Sequence, residues 1–573
     1  MRCAWVPFAV GWVGCEAKYG TVDQTPEFSE EALEPDEPEF FDAGPVTVCE
    51  RPQSGFDRFT LSGRQRGISG PFDNDERLRS CMAMPGGVTA HDLNGDGYPE
   101  VSVHQQDRFP FVYCNQQDGT FESCVVGPTW TDERGLRAHG WADINGDRRP
   151  DLLAAGLGVF AVSRNEGDGR FSPFEIVWEQ SGWPKTCILT FAWGDLDGDH
   201  DLDVVLPGAD AIPAEGSIPM DDHAMDGADV HVLYGDGAGG FEDGGVLTPA
   251  TNPTLSVFVA VTDRDLDGDQ DVLVASDRVE MGDFRTAFFR NDGGVFTDDA
   301  PAVGANVPIN GMGLGQADIN QDGLPDYCMS DVGPTLTCLM SDAAQGYYNG
   351  GAALGLSHDF EANPILPDET TEADFAFLRT QWSPWSVELA DFDNDAHPDA
   401  VTVAGVPPER GSVVNAVVSQ FQPDALWQGG ADGFVERTVE AGFGNFGMNQ
   451  RYGLTTADLD RDGHLDIVTA GFNVEPEIWT NPCGDGAWLQ VDFAGPPGNT
   501  QGFGATVTVK ADGTAHQQQL HGLRTAGQGP AVLHFGLGTA SRARIEVLWP
   551  GGERTALNVD QLNRRVTARY PNR

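Results

Sequence analysis

The chain has 573 residues, of which 88 are Asp or Glu and 34 Lys or Arg, leaving a formal net charge of −54 at pH 7. So acidic a molecule repels phosphate, and no Lys/Arg cluster offsets the repulsion, so nucleic acid is excluded as a partner.

In chain order, Met1 to Gly14 is mostly apolar with Arg2 as its only charge. It is too short for a bilayer span of about 20 residues, and reads as a secretory signal. Trp12-Val13-Gly14-Cys15 resembles the lipobox of bacterial lipoproteins, which implies a lipid anchor at Cys15; Trp12 departs from the usual Leu, and an ordinary signal stays open. Residues 1–15 are therefore assigned to export. From Glu16 to Asp42 the chain carries ten acidic residues and one lysine, a composition that buries no core and predicts a disordered tether over 16–47.

From Asp92 onward one acidic nonapeptide occurs seven times: DLNGDGYPE, DINGDRRPD, DLDGDHDLD, DRDLDGDQD, DINQDGLPD, DFDNDAHPD and DLDRDGHLD, starting at Asp92, Asp143, Asp195, Asp263, Asp318, Asp391 and Asp458. The frame D-x-[DN]-x-D-G-x-x-[DE] aims the side chains of positions 1, 3 and 5 inward, offers a backbone carbonyl at position 7 and closes with a carboxylate at position 9. Hard cations such as Ca²⁺, with six to eight oxygen ligands, want such a cage. A single copy is weak support because acidic turns are common; seven in one register are strong. An EF-hand needs Glu at position 12 and flanking helices, whereas position 12 is Val103, Leu206 and Met329 in the first, third and fifth copies. The runs after position 9 are β-branched and apolar, so each loop joins two strands. In the fourth copy a frame starting at Asp265 would put Leu273 at position 9, and the frame starting at Asp263 is preferred.

Downstream of the loops a second element recurs, as in VYCNQQDGTFES from Val112, VSRNEGDGRFSP from Val162 and FFRNDGGVFTD from Phe288, with a degraded form near Tyr347. Apolar alternation around a Gly/Asp turn is a hairpin signal. Four antiparallel strands per unit predict an all-β, seven-bladed β-propeller over 48–482, closed without free edges; an open β-solenoid is the weaker alternative. The seventh unit stops before its fourth strand, and DRFTLSG (Asp57 to Gly63) is the candidate closing strand.

These loops and hairpins resemble FG-GAP/VCBS repeats, the family that includes the integrin α-subunit propeller. The last stretch, 483–573, resembles an ASPIC/UnbV domain through GAWLQVDF, GFGATVTVK, LHFGLG and IEVLWPGG. Together they resemble bacterial members of the cartilage acidic protein family. The resemblance implies a propeller binding up to seven Ca²⁺ and a small C-terminal β-rich domain, without implying a biochemical activity. Transferred residue by residue, the implied ligands are Asp92, Asn94, Asp96 and Glu100; Asp143, Asn145, Asp147 and Asp151; Asp195, Asp197, Asp199 and Asp203; Asp263, Asp265, Asp267 and Asp271; Asp318, Asn320, Asp322 and Asp326; Asp391, Asp393, Asp395 and Asp399; and Asp458, Asp460, Asp462 and Asp466. Arg148, His200 and Ala396 replace glycine at position 6, where positive φ costs roughly 1–2 kcal/mol; those loops are expected to bind more weakly or bend differently. The carboxylates would repel one another without metal.

Setting aside Cys3 and Cys15, eight cysteines remain, an even count that favours disulfides in an exported chain. Cys114 with Cys124, and Cys328 with Cys338 in what reads as the equivalent region of the fifth repeat, are the expected pairs. No C-x-x-C occurs, which speaks against structural zinc. No G-x-S-x-G, H-E-x-x-H or Walker-type loop is present. His534 reads as a core residue and His397 and His464 as solvent-facing, since Ca²⁺ prefers oxygen. The lengthened stretches Gly208 to Asp229 and Ser357 to Trp385 are candidate recognition loops, in which Trp382 and Trp385 form either an aromatic platform or core packing. The expectation is a monomeric, non-enzymatic binding or adhesion protein, either a surface lipoprotein or secreted, for a protein or glycan ligand. An enzyme using the central channel is the alternative.

Overall fold

Each acidic loop connects two antiparallel strands, the second of which is buried on both faces by residues such as Val272, Leu273, Val274 and Ala275. Small and β-branched side chains suit a strand sandwiched between neighbouring sheets. The computed structural model describes residues 59–571 apart from 69–86, 105–107, 126, 133, 182–185, 211–227, 251–255, 278–284, 343, 345, 361–375, 377–378, 406–421, 444–450, 472–473, 483 and 524–525. The expected signal segment with Cys15, the expected tether and much of both lengthened stretches lie outside the described residues.

The first sheet comprises Val88–His91, Glu100–Val103, Phe111–Asn115 and Phe121–Ser123 in spatial order. Six further sheets repeat this plan, beginning with Leu136–Ala142, Ala192–Gly194, Ser256–Thr262, Leu314–Ala317, Pro384–Ala390 and Arg451–Ala457. Among the described residues, each of these sheets carries one acidic loop between its first two strands. The seventh takes its outer strand from the start of the chain, where Thr60 pairs with Thr480 and Leu61 with Trp479. The closing strand expected in DRFTLSG is thus present.

The sheets pack face to face in sequence order, and the last meets the first. Val88, Ala90, Val101 and Val103 pack with Ala457, Leu459, Val468 and Ala470 in one apolar cluster. First strands of neighbouring sheets lie against one another, for instance Pro384–Ala390 against Arg451–Ala457 and Val88–His91 against Arg451–Ala457. This is a β-propeller with first strands innermost and acidic loops gathered on one face.

Two of the expected disulfides are formed, Cys114–Cys124 with Cα atoms 5.7 Å apart and Cys328–Cys338 with Cα atoms 4.0 Å apart. They do not occupy equivalent places. Cys114–Cys124 ties the third strand of the first sheet to the end of its fourth, whereas Cys328 and Cys338 sit opposite each other on the second and third strands of theirs. Trp382 and Trp385 are buried, their indole N–H groups donating to Pro423 O (2.8 Å) and Gly405 O (2.7 Å). They are core packing and form no platform.

The C-terminal segment forms two further sheets. One is Val532–Gly538, Ala487–Ala494 and Arg564–Arg569; the other is Thr514–Gln519, Thr506–Ala511, Ala543–Leu548 and Arg554–Val559. Leu489, Val491, Val507, Val509, Ile545 and Trp549 fill the space between them. A short strand, Gly527–Gln528, leaves this domain and pairs in parallel with Val88–Thr89 at the inner edge of the first sheet. Nearby, Gln528 exchanges hydrogen bonds with the backbone of Trp141 (2.8 and 2.7 Å), His521 Nδ1 lies 3.0 Å from Val261 O, and Gly522 abuts Trp193. Residues of 519–523 and 526–529 therefore lie at the loop-face mouth of the central channel.

Candidate metal centres

The backbone of every loop is wound around its own first carboxylate. One oxygen of Asp92, Asp143, Asp195, Asp263, Asp318, Asp391 and Asp458 accepts from the position-6 N–H at 2.7–3.1 Å. The position-5 carboxylate likewise accepts from the position-7 N–H in all seven, as for Tyr98 to Asp96 (2.9 Å) and His464 to Asp462 (2.9 Å). These Asx-type turns explain why aspartate rather than glutamate stands at positions 1 and 5.

Position 6 has positive φ in every copy, including Arg148 (66°), His200 (75°) and Ala396 (80°). The expectation that these three bend differently is not met: the turn imposes its conformation and the side chain bears the strain. Position 4 is also left-handed throughout, at Gly95, Gly146, Gly198, Leu266, Gln321, Asn394 and Arg461, a requirement that the variety of residue types there conceals.

Position 9 is the most buried member. Asp271 accepts from Asn291 N (2.7 Å) on one oxygen and from Arg264 N (3.0 Å) on the other, and Asp203 and Asp399 are held in the same way. These bonds also establish Asp263 as the start of the fourth frame. Asn115, Asn165, Asn291 and Asn481, one position into the hairpins, donate from Nδ2 to the position-8 carbonyl of their own loop and the position-2 carbonyl of the preceding one. Sequence reasoning missed this tie between neighbouring loops, although the recurring asparagine after the third strand was a visible signal.

Carboxylate oxygens converge within 4.8 Å of one another in four loops: Asp195, Asp197 and Asp199; Asp263, Asp265 and Asp271; Asp391, Asp393 and Asp399; Asp458, Asp460 and Asp462. These are the copies with aspartate at position 3. In the others Asn94, Asn145 and Asn320 hold that place, and Asn94 donates to Glu100 (3.0 Å) and Asn320 to Asp322 (3.2 Å). In the second loop the Arg149 guanidinium is paired with Asp147. His464 is buried rather than solvent-facing, with its Nε2 accepting from Gly484 N (2.9 Å); His534, buried as expected, meets Asn394 Oδ1 at 2.7 Å.

A hard dication fits these donors. They are all oxygen, and Asp265 Oδ1 and Asp393 Oδ1 are buried without a hydrogen-bond partner, which is costly for a carboxylate unless something positive faces it. Burial, reinforced by neighbouring carboxylates, pushes Glu100, Asp203 and Asp466 up to about 8 and Asp462 up to about 9. A dication bound among them would keep these groups ionised at neutral pH. The residues that would hold it are the position 1, 3, 5 and 9 side chains; its contribution is charge neutralisation and cross-linking of the loop.

The C-terminal domain reaches all seven loops. Thr500 Oγ1 donates to Asp143 Oδ2 (2.5 Å), Gln490 Nε2 to Asp458 Oδ2 (2.8 Å) and Gln519 Nε2 to Asp263 O (2.5 Å). Arg565 donates to Gly97 O (3.2 Å), Gln517 to Gly323 O (2.6 Å) and the backbone N–H of Gly538 to Asn394 O (2.9 Å). Tyr570 Oη lies 3.3 Å from His200 Nε2 in the third loop.

Fold and loops define a β-propeller whose first loops match an FG-GAP-like repeat and whose C-terminal segment matches an ASPIC/UnbV domain. The model of the FG-GAP-like repeat matches residues 92–154 and 143–206, and that of ASPIC and UnbV matches 495–573. Among curated proteins the chain is similar to cartilage acidic protein 1, at 24% identity over 516 residues for Mus musculus and 25% over 519 for Homo sapiens. These alignments take in 86% of this chain and 66% and 64% of those proteins, so the chain spans less than two thirds of their length. Among solved structures, BBS1N in complex with ARL6DN aligns with a TM-score of 0.41 at 10% identity, covering 71% of this chain and 94% of that one. Saccharomyces cerevisiae Sqt1 aligns with a TM-score of 0.38 at 11% identity, covering 72% and 100%. The propeller rests on the chain's own sheets rather than on these alignments.

Proposed function

We propose that this protein is an exported, calcium-stabilised, seven-bladed binding or adhesion protein acting outside the cytosol, on a protein or glycan ligand. The observation that carries the reading is the convergence of buried, partly unpartnered carboxylates in loops of one repeated geometry on one face of the ring. Calcium at that density implies an extracellular supply, and the two cross-strand disulfides support the same compartment. Among the described residues no helix is long and apolar enough to cross a membrane; a lipid on Cys15 would supply attachment to a surface. Catalysis in the central channel is less well supported, because Gly527 and Gln528 bond across the inner strands at its loop-face mouth.

Calcium titration of the full chain followed by native mass spectrometry tests the metal reading, with four to seven ions expected and none overturning it. A protein and glycan array probed in calcium and again after chelation tests the binding reading. The expected result is a ligand retained in calcium and lost on chelation; turnover of a substrate without any retained ligand overturns it.

A further inference from the structure

We infer that the C-terminal domain is a calcium-dependent latch: it seats residues 519–523 and 526–529 in the channel mouth only while the loops beneath are filled, and loss of the cation releases it. The inference rests on the loops holding calcium, and goes beyond it to what the ions control.

The link is a single residue whose two backbone groups bond on opposite sides. In the first, fourth and fifth loops the position-6 glycine donates its N–H to the position-1 carboxylate, at 2.8 Å for Gly97 and 3.0 Å for Gly268 and Gly323. The carbonyl of the same residue accepts from the C-terminal domain: Gly97 O from Arg565 (3.2 Å), Gly268 O from Gly551 N (3.0 Å) and Gly323 O from Gln517 (2.6 Å). In the second and seventh loops the contact is more direct, since Thr500 and Gln490 donate to the position-1 carboxylates themselves. An ion that fixes these carboxylates therefore fixes the latch's hydrogen-bond acceptors. When it leaves, the loops' mutual repulsion displaces acceptors that the latch needs in register.

The seat itself is narrow. A Cβ on Gly527 would stand 1.7 Å from Leu454 O, so the inserted strand has no slack to follow a loop that moves. Linkage is reciprocal: if calcium tightens the seat, the seat tightens calcium by the same factor.

The test is hydrogen–deuterium exchange on the full chain, in calcium and after chelation, following residues 514–530 with the buried third strand Val159–Ser163 of the second sheet as reference. Exchange at 514–530 is expected to accelerate at least ~10-fold on chelation while Val159–Ser163 stays protected. As the reciprocal arm, Gly527→Ala is expected to weaken calcium binding by ~5-fold or more; should it not fold, Gln519→Ala, which removes only side-chain hydrogen bonds, takes its place. Calcium bound with exchange at 514–530 unaffected by chelation overturns the latch alone. A uniform rise in both segments also overturns it, since the ions would then hold the whole ring. Failure to bind calcium at all overturns the metal reading instead.

Discussion

The asparagine that follows the third strand shows how one side chain can hold two repeats in register. Asn481 Nδ2 bonds Phe392 O (2.8 Å) in the sixth loop and Leu465 O (3.2 Å) in its own, both away from water. Asn481→Ala strands two buried carbonyls and is expected to destabilise the calcium-loaded protein by about 1–3 kcal/mol; urea unfolding that shows no loss refutes the role. Conversely Ala396, held at φ 80°, is strained, so Ala396→Gly is expected to stabilise by about 1 kcal/mol in the same assay. Which side chains line the loops was legible, because Asp at alternate positions of a Gly-bearing turn has a direct chemical meaning. The left-handed position 4 was not: Leu266 and Arg461 give no hint of positive φ, since the neighbouring Asx turns impose it.

At the scale of the loop, calcium and pH act on the same carboxylates. In the metal-free fold Glu100, Asp203 and Asp466 are pushed up to about 8 by burial first and neighbouring carboxylates second, whereas unfolded carboxylates titrate near ~4. The folded state then binds protons the unfolded chain releases, so their stabilisation is complete below about pH 4 and is lost as pH rises through about 8. Calcium-stripped protein is accordingly expected to melt higher at pH 5 than at pH 8, by roughly 5 °C or more; calcium should abolish or reverse that order. Chelation at pH 7.5 is expected to lower the melting temperature by about 10 °C or more, since each site at ~100 times its dissociation constant adds about 2.7 kcal/mol; coincident melting curves would count against structural calcium. Strands flanking the loops were legible from their apolar runs. Thr514–Gln519 was not, because Gln517 and Gln519 spend their side chains on propeller carbonyls and leave a polar sequence that reads as loop.

For the whole molecule, ring closure depends on two residues near the start of the described chain. Ser62 N donates to Ile478 O (2.8 Å) and Ser62 Oγ lies 2.6 Å from Thr480 Oγ1, next to the Thr60–Leu61 pairing. Ser62→Pro removes the N–H and is expected to cost about 3 kcal/mol, against about 1 kcal/mol for Ser62→Ala, measured by chemical unfolding; equal losses would show that the Ser62 N–H bond contributes nothing to closure. The missing fourth strand of the seventh unit made this closure legible. The docking of the C-terminal domain was not, because its contacts come from scattered glutamine, threonine, arginine and backbone groups that no periodicity marks.

That closing strand also sets a schedule. Thr60 is made early and its partner Thr480 some 420 residues later, roughly 20–80 s at ordinary rates of synthesis. Throughout that interval the growing stack of blades has an unpaired outer blade at its leading end, a template for the wrong partner. The domain at the channel mouth is made after the last blade. Synthesis therefore delivers both edges of the seam before the segment that lies at the channel mouth, and a molecule still lacking its last blade exposes that seam.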